Sequence, residues 1–173
     1  FTAANSRPAV FAFNGDVFDR IAISQGGWIS FGKSSDAFAA VWSYNYHPYP
    51  NGDPFIQWFN GPPVSYQRNR VAGFGVTNLY MQDRSSMVPP GPVSTLRMAT
   101  IGTAPNRVCV VQWKDFGMSS FGLGANPCFI NFQIRLNEAD NTVDVRFGDM
   151  TWGYLDGRKD VQVGISGRNN EDF

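Results

Sequence analysis

The chain has 173 residues, a length that suits one domain better than two. Charged residues are 16% of it, against roughly 25% in an ordinary soluble domain, and 14 basic residues balance 14 acidic ones. Zero formal charge without a basic stripe excludes the counterion-releasing surface that nucleic acid demands. No apolar run approaches the ~20 residues of a membrane-spanning helix.

Read from the start, the chain opens on Phe1 with no signal-like segment, which points to a removed leader or a trimmed end. Polar Phe1–Ser6 leads into Arg7-Pro8 and then Ala9, Val10, Phe11, Ala12 and Phe13, a strand apolar on both faces. Such a strand must be covered on both sides. Asn14-Gly15-Asp16 is a tight-turn signal, and strands follow at 17–23 and 28–31, with Gly26-Gly27 between them. The best helical candidate, Ser35 to Trp42, is short and aromatic. Ser43 to Asp53 and Gln82 to Pro92 read as long loops, and further strands as 55–59, 71–76 and 94–101.

Arg107 to Phe116 is a strong strand with Val108, Val110 and Gln112 on one face and Cys109, Val111 and Trp113 on the other. Phe129 to Asn137 and Thr142 to Phe147 form a hairpin around the turn Glu138–Asn141. Phe132, Ile134, Leu136, Val143, Val145 and Phe147 point inward, while Arg135 and Asp144 stand where they can pair on the wet face. A last strand runs over 161–166. Many short strands with turn signals at this spacing predict an all-β, antiparallel two-sheet sandwich, jelly-roll-like, formed by residues 14–173. Residues 1–13 form a separate strand segment available to a neighbouring subunit.

Little catalytic chemistry is present. His47 is the only histidine, so any Ser-His-Asp or Cys-His scheme must use it. The two glutamates, Glu138 and Glu171, fall in a turn and near the C-terminus rather than on a sheet face, which is not a glycosidase arrangement. The glycine-rich 122–126 lacks the lysine and the strand-to-helix context of a phosphate loop. No enzyme is expected, and no cofactor. Asn14-Gly15-Asp16, Asn51-Gly52-Asp53 and Asp140-Asn141 offer oxygens to a structural calcium, but read more simply as turns. Cys109 and Cys128 fit one disulfide, worth about 3 kcal/mol on the chain-entropy view and at home in an oxidising compartment. The alternative is two buried thiols.

Several segments together carry a resemblance: 27–32 (Gly-Trp-Ile-Ser-Phe-Gly), 106–116 (Asn-Arg-Val-Cys-Val-Val-Gln-Trp-Lys-Asp-Phe), 131–136 with 141–148, and 161–167 (Val-Gln-Val-Gly-Ile-Ser-Gly). The chain resembles a β-sandwich domain of large surface proteins exported by the type IX route in gliding bacteria, and is loosely similar to nidogen-type extracellular domains. The resemblance implies a secreted, cell-surface, non-catalytic module.

Two functions fit. The first is self-assembly into an extracellular filament or surface layer, with Ala9–Phe13 donated to a neighbouring copy by strand addition. Low charge and the aromatic surplus favour it. The second is carbohydrate binding by Trp42, Tyr44, Tyr46, His47 and Tyr49, whose rings would stack on sugars beside Asn45, Asn51 and Asp53. The expected partners are therefore copies of the chain itself, or glycans.

Overall fold

A computed structural model describes residues 10–33, 69–76, 80–87, 90–119, 128–151 and 161–167. The fold is all-β and antiparallel, the sheet type that the alternating sequence predicts. The chain divides into two compact units, residues 1–75 with 161–173, and residues 76–160.

The first unit begins with a hairpin of β1 (Phe11–Phe13) and β2 (Asp16–Phe18). Asn14 (φ 48°) and Gly15 (φ 77°) both take the left-handed conformation of a two-residue type I′ turn, which Asn-Gly favours because its twist matches that of the strands. β3 (Arg20–Ser24), β4 (Trp28–Gly32), β5 (Arg70–Val76) and β11 (Val161–Ser166) make a four-stranded sheet in the order β11-β5-β4-β3. The predicted strand over 17–23 is thus two strands, broken at Asp19.

β4 is buried along its whole length, as an apolar central strand must be. Phe31 is the hub of this core. The rings of Phe11, Phe13 and Phe18 lie 5.2, 4.6 and 5.6 Å from it, centroid to centroid. Such pairs contribute beyond their area burial. On β5 the buried Arg70 guanidinium sits 3.9 Å over the Trp28 ring, a cation–π contact made in a desolvated place.

The second unit is one antiparallel sheet built on β8 (Val108–Ser119). β9 (Ile130–Asn137) lies along one edge of β8, with β10 (Val143–Phe147) beyond it. Along the other edge β7 (Thr95–Ile101) pairs with Val108–Lys114, and β6 (Tyr80–Asp83) with Phe116–Ser119. At the β7–β8 turn Gly102 has φ 82°, and a Cβ there would meet the Asn106 carbonyl oxygen at 2.7 Å, so only glycine fits.

The face assignment holds on β9, which alternates buried and half-buried with Phe132, Ile134 and Leu136 inside, but not at the end of β10, where Val143 and Val145 are half-buried and Phe147, expected inward, is exposed at the sheet's edge. Arg135 and Asp144 do stand opposite one another. Arg135 nevertheless donates to Gln133 (2.9 Å), while Asp144 takes a bond from Asn137 (3.2 Å) and lies 3.8 Å from Arg146.

The disulfide expected between Cys109 and Cys128 does not form. β8 and β9 are antiparallel, so Cys109 faces Leu136 at the far end of β9, while Cys128 precedes its near end. Leu136 is eight residues from Cys128, roughly 26 Å at the rise of a strand. A disulfide tolerates at most about 7 Å between Cα atoms. Cys109 stands at the start of β8 and Cys128 just before the start of β9, and in an antiparallel pair the two starts lie at opposite ends. Both side chains are buried, and desolvation pushes the Cys109 thiol up to about 12.

Candidate functional site

The second unit's apolar residues switch parity along β8: Cys109, Val111 and Trp113, then Phe116 and Met118. A regular strand would turn the last two to the opposite face. A bulge between Trp113 and Phe116, with Asp115 at φ 58°, restores them to the buried side. A bulge takes backbone groups out of the ladder, and each buried one needs a new partner. Asn131 supplies one: its Oδ1 accepts from the Asp115 amide (2.8 Å). Ser94 supplies the other, donating its hydroxyl to the Asp115 carbonyl (2.6 Å).

Ser94 is itself held by Asp83, whose carboxylate accepts from the Ser94 amide (2.8 Å) and from the amide and hydroxyl of Ser85 (3.0 and 2.8 Å). Asp83 thereby caps the single 3-10 turn Arg84–Ser86 and fastens the β6–β7 connection to the bulge. These bonds, those from Ser94 and Ser85 backbone amides first, hold its carboxyl down at about 2. The predicted loop from Gln82 to Pro92 is therefore anchored at its described ends. This latch sets where β7 starts and the register it keeps.

The residues of β7 from Leu96 to Ile101 are exposed on both faces. Among the described residues it pairs only with β8, and no described strand takes its outer edge. Register makes it the rim of an apolar face, whose first row is Leu96, Trp113, Phe132 and Phe147, and whose second is Met98, Val111, Ile134 and Val145. The inner members are closed from solvent, and the Trp113 and Phe132 rings stack at 4.7 Å. The rim of this face is open, with Leu96 39% and Met98 51% exposed, and Ile101 on the opposite face is 49% exposed. Natural edges are usually blunted by lysine, proline or a bulge, and β7 has none of these, with Arg97 its one charge. The far edge, β10, carries both Asp144 and Arg146. The sequence reading found β7 as a strand but not as an edge. The available signal was its apolar content on both faces, Leu96 and Met98 against Ala99 and Ile101.

Of the sequence-predicted assembly strand, Phe11 and Phe13 are buried on Phe31, Ala12 is half-buried, and Val10 is exposed. In this structure the strand is paired within its own chain, closed onto β2 by the Asn14-Gly15 turn. Ala9 lies outside the described residues, as do Trp42, Tyr44, Tyr46, His47 and Tyr49 of the predicted sugar site. The candidate helix Ser35–Trp42, the strand 55–59, Asn51–Asp53 and the glycine-rich 122–126 also lie outside them.

Asp140 is taken up by the Thr142 amide and hydroxyl (3.0 and 2.7 Å), and Asp16 lies 3.4 Å from Lys33. Among the described residues no group of three or more His, Cys, Asp or Glu side chains is placed to hold a metal ion. Glu138 is clamped by Arg107 through Nε (2.8 Å), the terminal Nη2 and the backbone amide (3.1 Å), which locks the β9–β10 turn to the start of β8. No helix among the described residues is long and apolar enough to cross a membrane.

No curated protein and no solved structure matches the chain. A family model described as NIDO related matches residues 8–173, which takes up the nidogen-like side of the resemblance read from the strand motifs. Spanning nearly the whole chain, that match makes this protein a member of the NIDO-related family.

Proposed function

We propose that the chain is a non-catalytic structural module of an extracellular assembly, joined to copies of itself by β-strand pairing, and that the contact edge is β7. Membership of a nidogen-related family supports the extracellular setting. One observation carries the assembly reading: a seven-residue strand exposed on both faces from Leu96 on, with Leu96, Met98 and Ile101 in solvent and no described strand on its outer edge. An edge of this kind is a template for strand addition. The sequence reading placed the contact at Ala9–Phe13. The type I′ turn and the Phe31 packing, which tie that strand to its own chain, favour β7 instead. The formal charge of zero removes the general repulsion between copies.

The test is light scattering after size exclusion across a concentration series. The wild-type mass should rise with concentration. Met98→Lys should hold it at that of one chain, because a charge on the rim must be desolvated in the contact. Val93→Lys changes a still more exposed apolar residue outside the strand and should leave association intact. A wild-type chain that stays single at high micromolar concentration overturns the proposal.

A further inference from the structure

We infer that two copies meet at β7 in one register only: antiparallel, about a two-fold axis through Met98, so that each Met98 lies opposite its own copy. The inference rests on the reading of β7 as the contact edge and adds to it the geometry of the contact.

The argument is one of parity. A two-fold axis that joins like strands edge to edge in antiparallel fashion stands perpendicular to the sheet, and it keeps each face continuous with the same face of the copy. Residues of one face must then pair with residues of that face, Leu96, Met98 and Thr100 on one side and Arg97, Ala99 and Ile101 on the other. Paired residue numbers therefore sum to an even value, and the axis passes through a residue, never between two.

Charge and length choose among those centres. An axis through Arg97 sets two guanidinium groups directly opposite, which destabilises a pair. An axis through Ala99 or Leu96 leaves part of the strand unpaired. The axis through Met98 uses all seven residues of β7. It sets Arg97 across from Ala99 of the copy, Leu96 across from Thr100, and Thr95 across from Ile101. The exposed methionine rim meets itself, and the apolar rows that run from Phe132 through Trp113 and from Ile134 through Val111 continue across the axis. The strand is self-complementary in this register, so the occupant of the edge is a second copy of this chain.

Such a contact closes on itself. Growth beyond a pair requires a second, different contact, and the inference predicts that the β7 contact alone stops at two chains.

Cysteine cross-linking tests the register. Cys109 and Cys128 are buried, so introduced thiols are the ones that react. Under mild oxidation, or with a short bifunctional thiosulfonate, Met98→Cys should shift from single-chain to double mass on a non-reducing gel. Leu96→Cys alone should not, whereas Leu96→Cys mixed with Thr100→Cys should give the double band. Directly opposite Cβ atoms stand about 5 Å apart, within reach of either reagent. If wild type associates by light scattering but Met98→Cys stays single, the register is overturned and the β7 contact still stands. If wild type does not associate at all, both fall.

Discussion

Ser94 and Asp115 meet across 2.6 Å, hydroxyl to carbonyl, and through that bond the β6–β7 connection is latched onto the bulge of β8. The bond serves both partners. It gives Asp115 an acceptor role that the ladder withdrew, and it fixes the residue immediately before the exposed edge strand.

Removing the latch should loosen the second unit from this point. Ser94→Ala leaves the Asp115 carbonyl short of its donor and frees the Arg84 amide, which donates to Ser94 Oγ at 2.9 Å. A part-buried group left unmet costs about 1–3 kcal/mol. Asn131→Ala should cost more, since Asn131 also donates to the Asp149 carbonyl at 2.7 Å and so ties the chain after β10 to the same bulge. Urea denaturation read by tryptophan fluorescence should rank wild type above Ser94→Ala and Ser94→Ala above Asn131→Ala. Amide exchange should quicken first around Phe116–Met118.

Acid should act through the same corner. The Asp83 carboxyl is held at about 2 against an ordinary value of 3.8, and Glu138 and Asp140 are also lowered, by Arg107 and by Thr142. A depressed folded pKa means that the stabilisation is fully present above the unfolded value and disappears as pH falls through the folded one. The melting temperature should therefore hold down to about pH 4.5 and then fall steadily towards pH 2. Asp83→Asn should melt lower at pH 6, and its difference from wild type should shrink towards pH 2. A constant difference across that range would show that Asp83 does not stabilise the fold through its charge.

Alternation made most of the fold legible. β9, β10 and the main part of β8 were readable because one face of each is closed from water, and a closed face writes period two into the residues. The bulge was written there too, in the parity switch from Trp113 to Phe116, but period two read over a short window passes it by. β6 was missed because only Met81 of its described side chains is buried, which gives no pattern. The cysteine pairing failed for a different reason: antiparallel neighbours set the start of one strand beside the end of the other, so Cys109 and Cys128, both at strand starts, lie most of a strand's length apart. The open edge was hardest to read. Whether a strand is central or marginal is decided by what pairs with it, and that information lies in other segments of the chain.

The first unit offers its own test. Phe31 gathers Phe11, Phe13 and Phe18, and β1–β2 forms no ladder to any other described strand. A two-stranded hairpin is marginal in water without such packing. Phe31→Ala should cost about 3–5 kcal/mol and release the hairpin. Trypsin should then cut after the exposed Arg20 faster than in wild type, with fragments beginning at Ile21 seen by mass spectrometry. Phe31→Leu should fall between the two.

The cysteines give the sharpest test of the register in β8 and β9. With Cys109 opposite Leu136 and Cys128 at the other end, the two sulfurs cannot meet without dismantling the hairpin. Both are buried, and the thiolate that reacts is disfavoured at Cys109, whose thiol lies near 12. Unreduced, folded protein should react very slowly with an aromatic disulfide reagent at pH 8. The same protein in guanidinium, still without reductant, should release colour equivalent to two thiols per chain, the full cysteine content. Colour for no thiols would mean that Cys109 and Cys128 are joined, and the β8–β9 register would have to slip along most of its length to allow it.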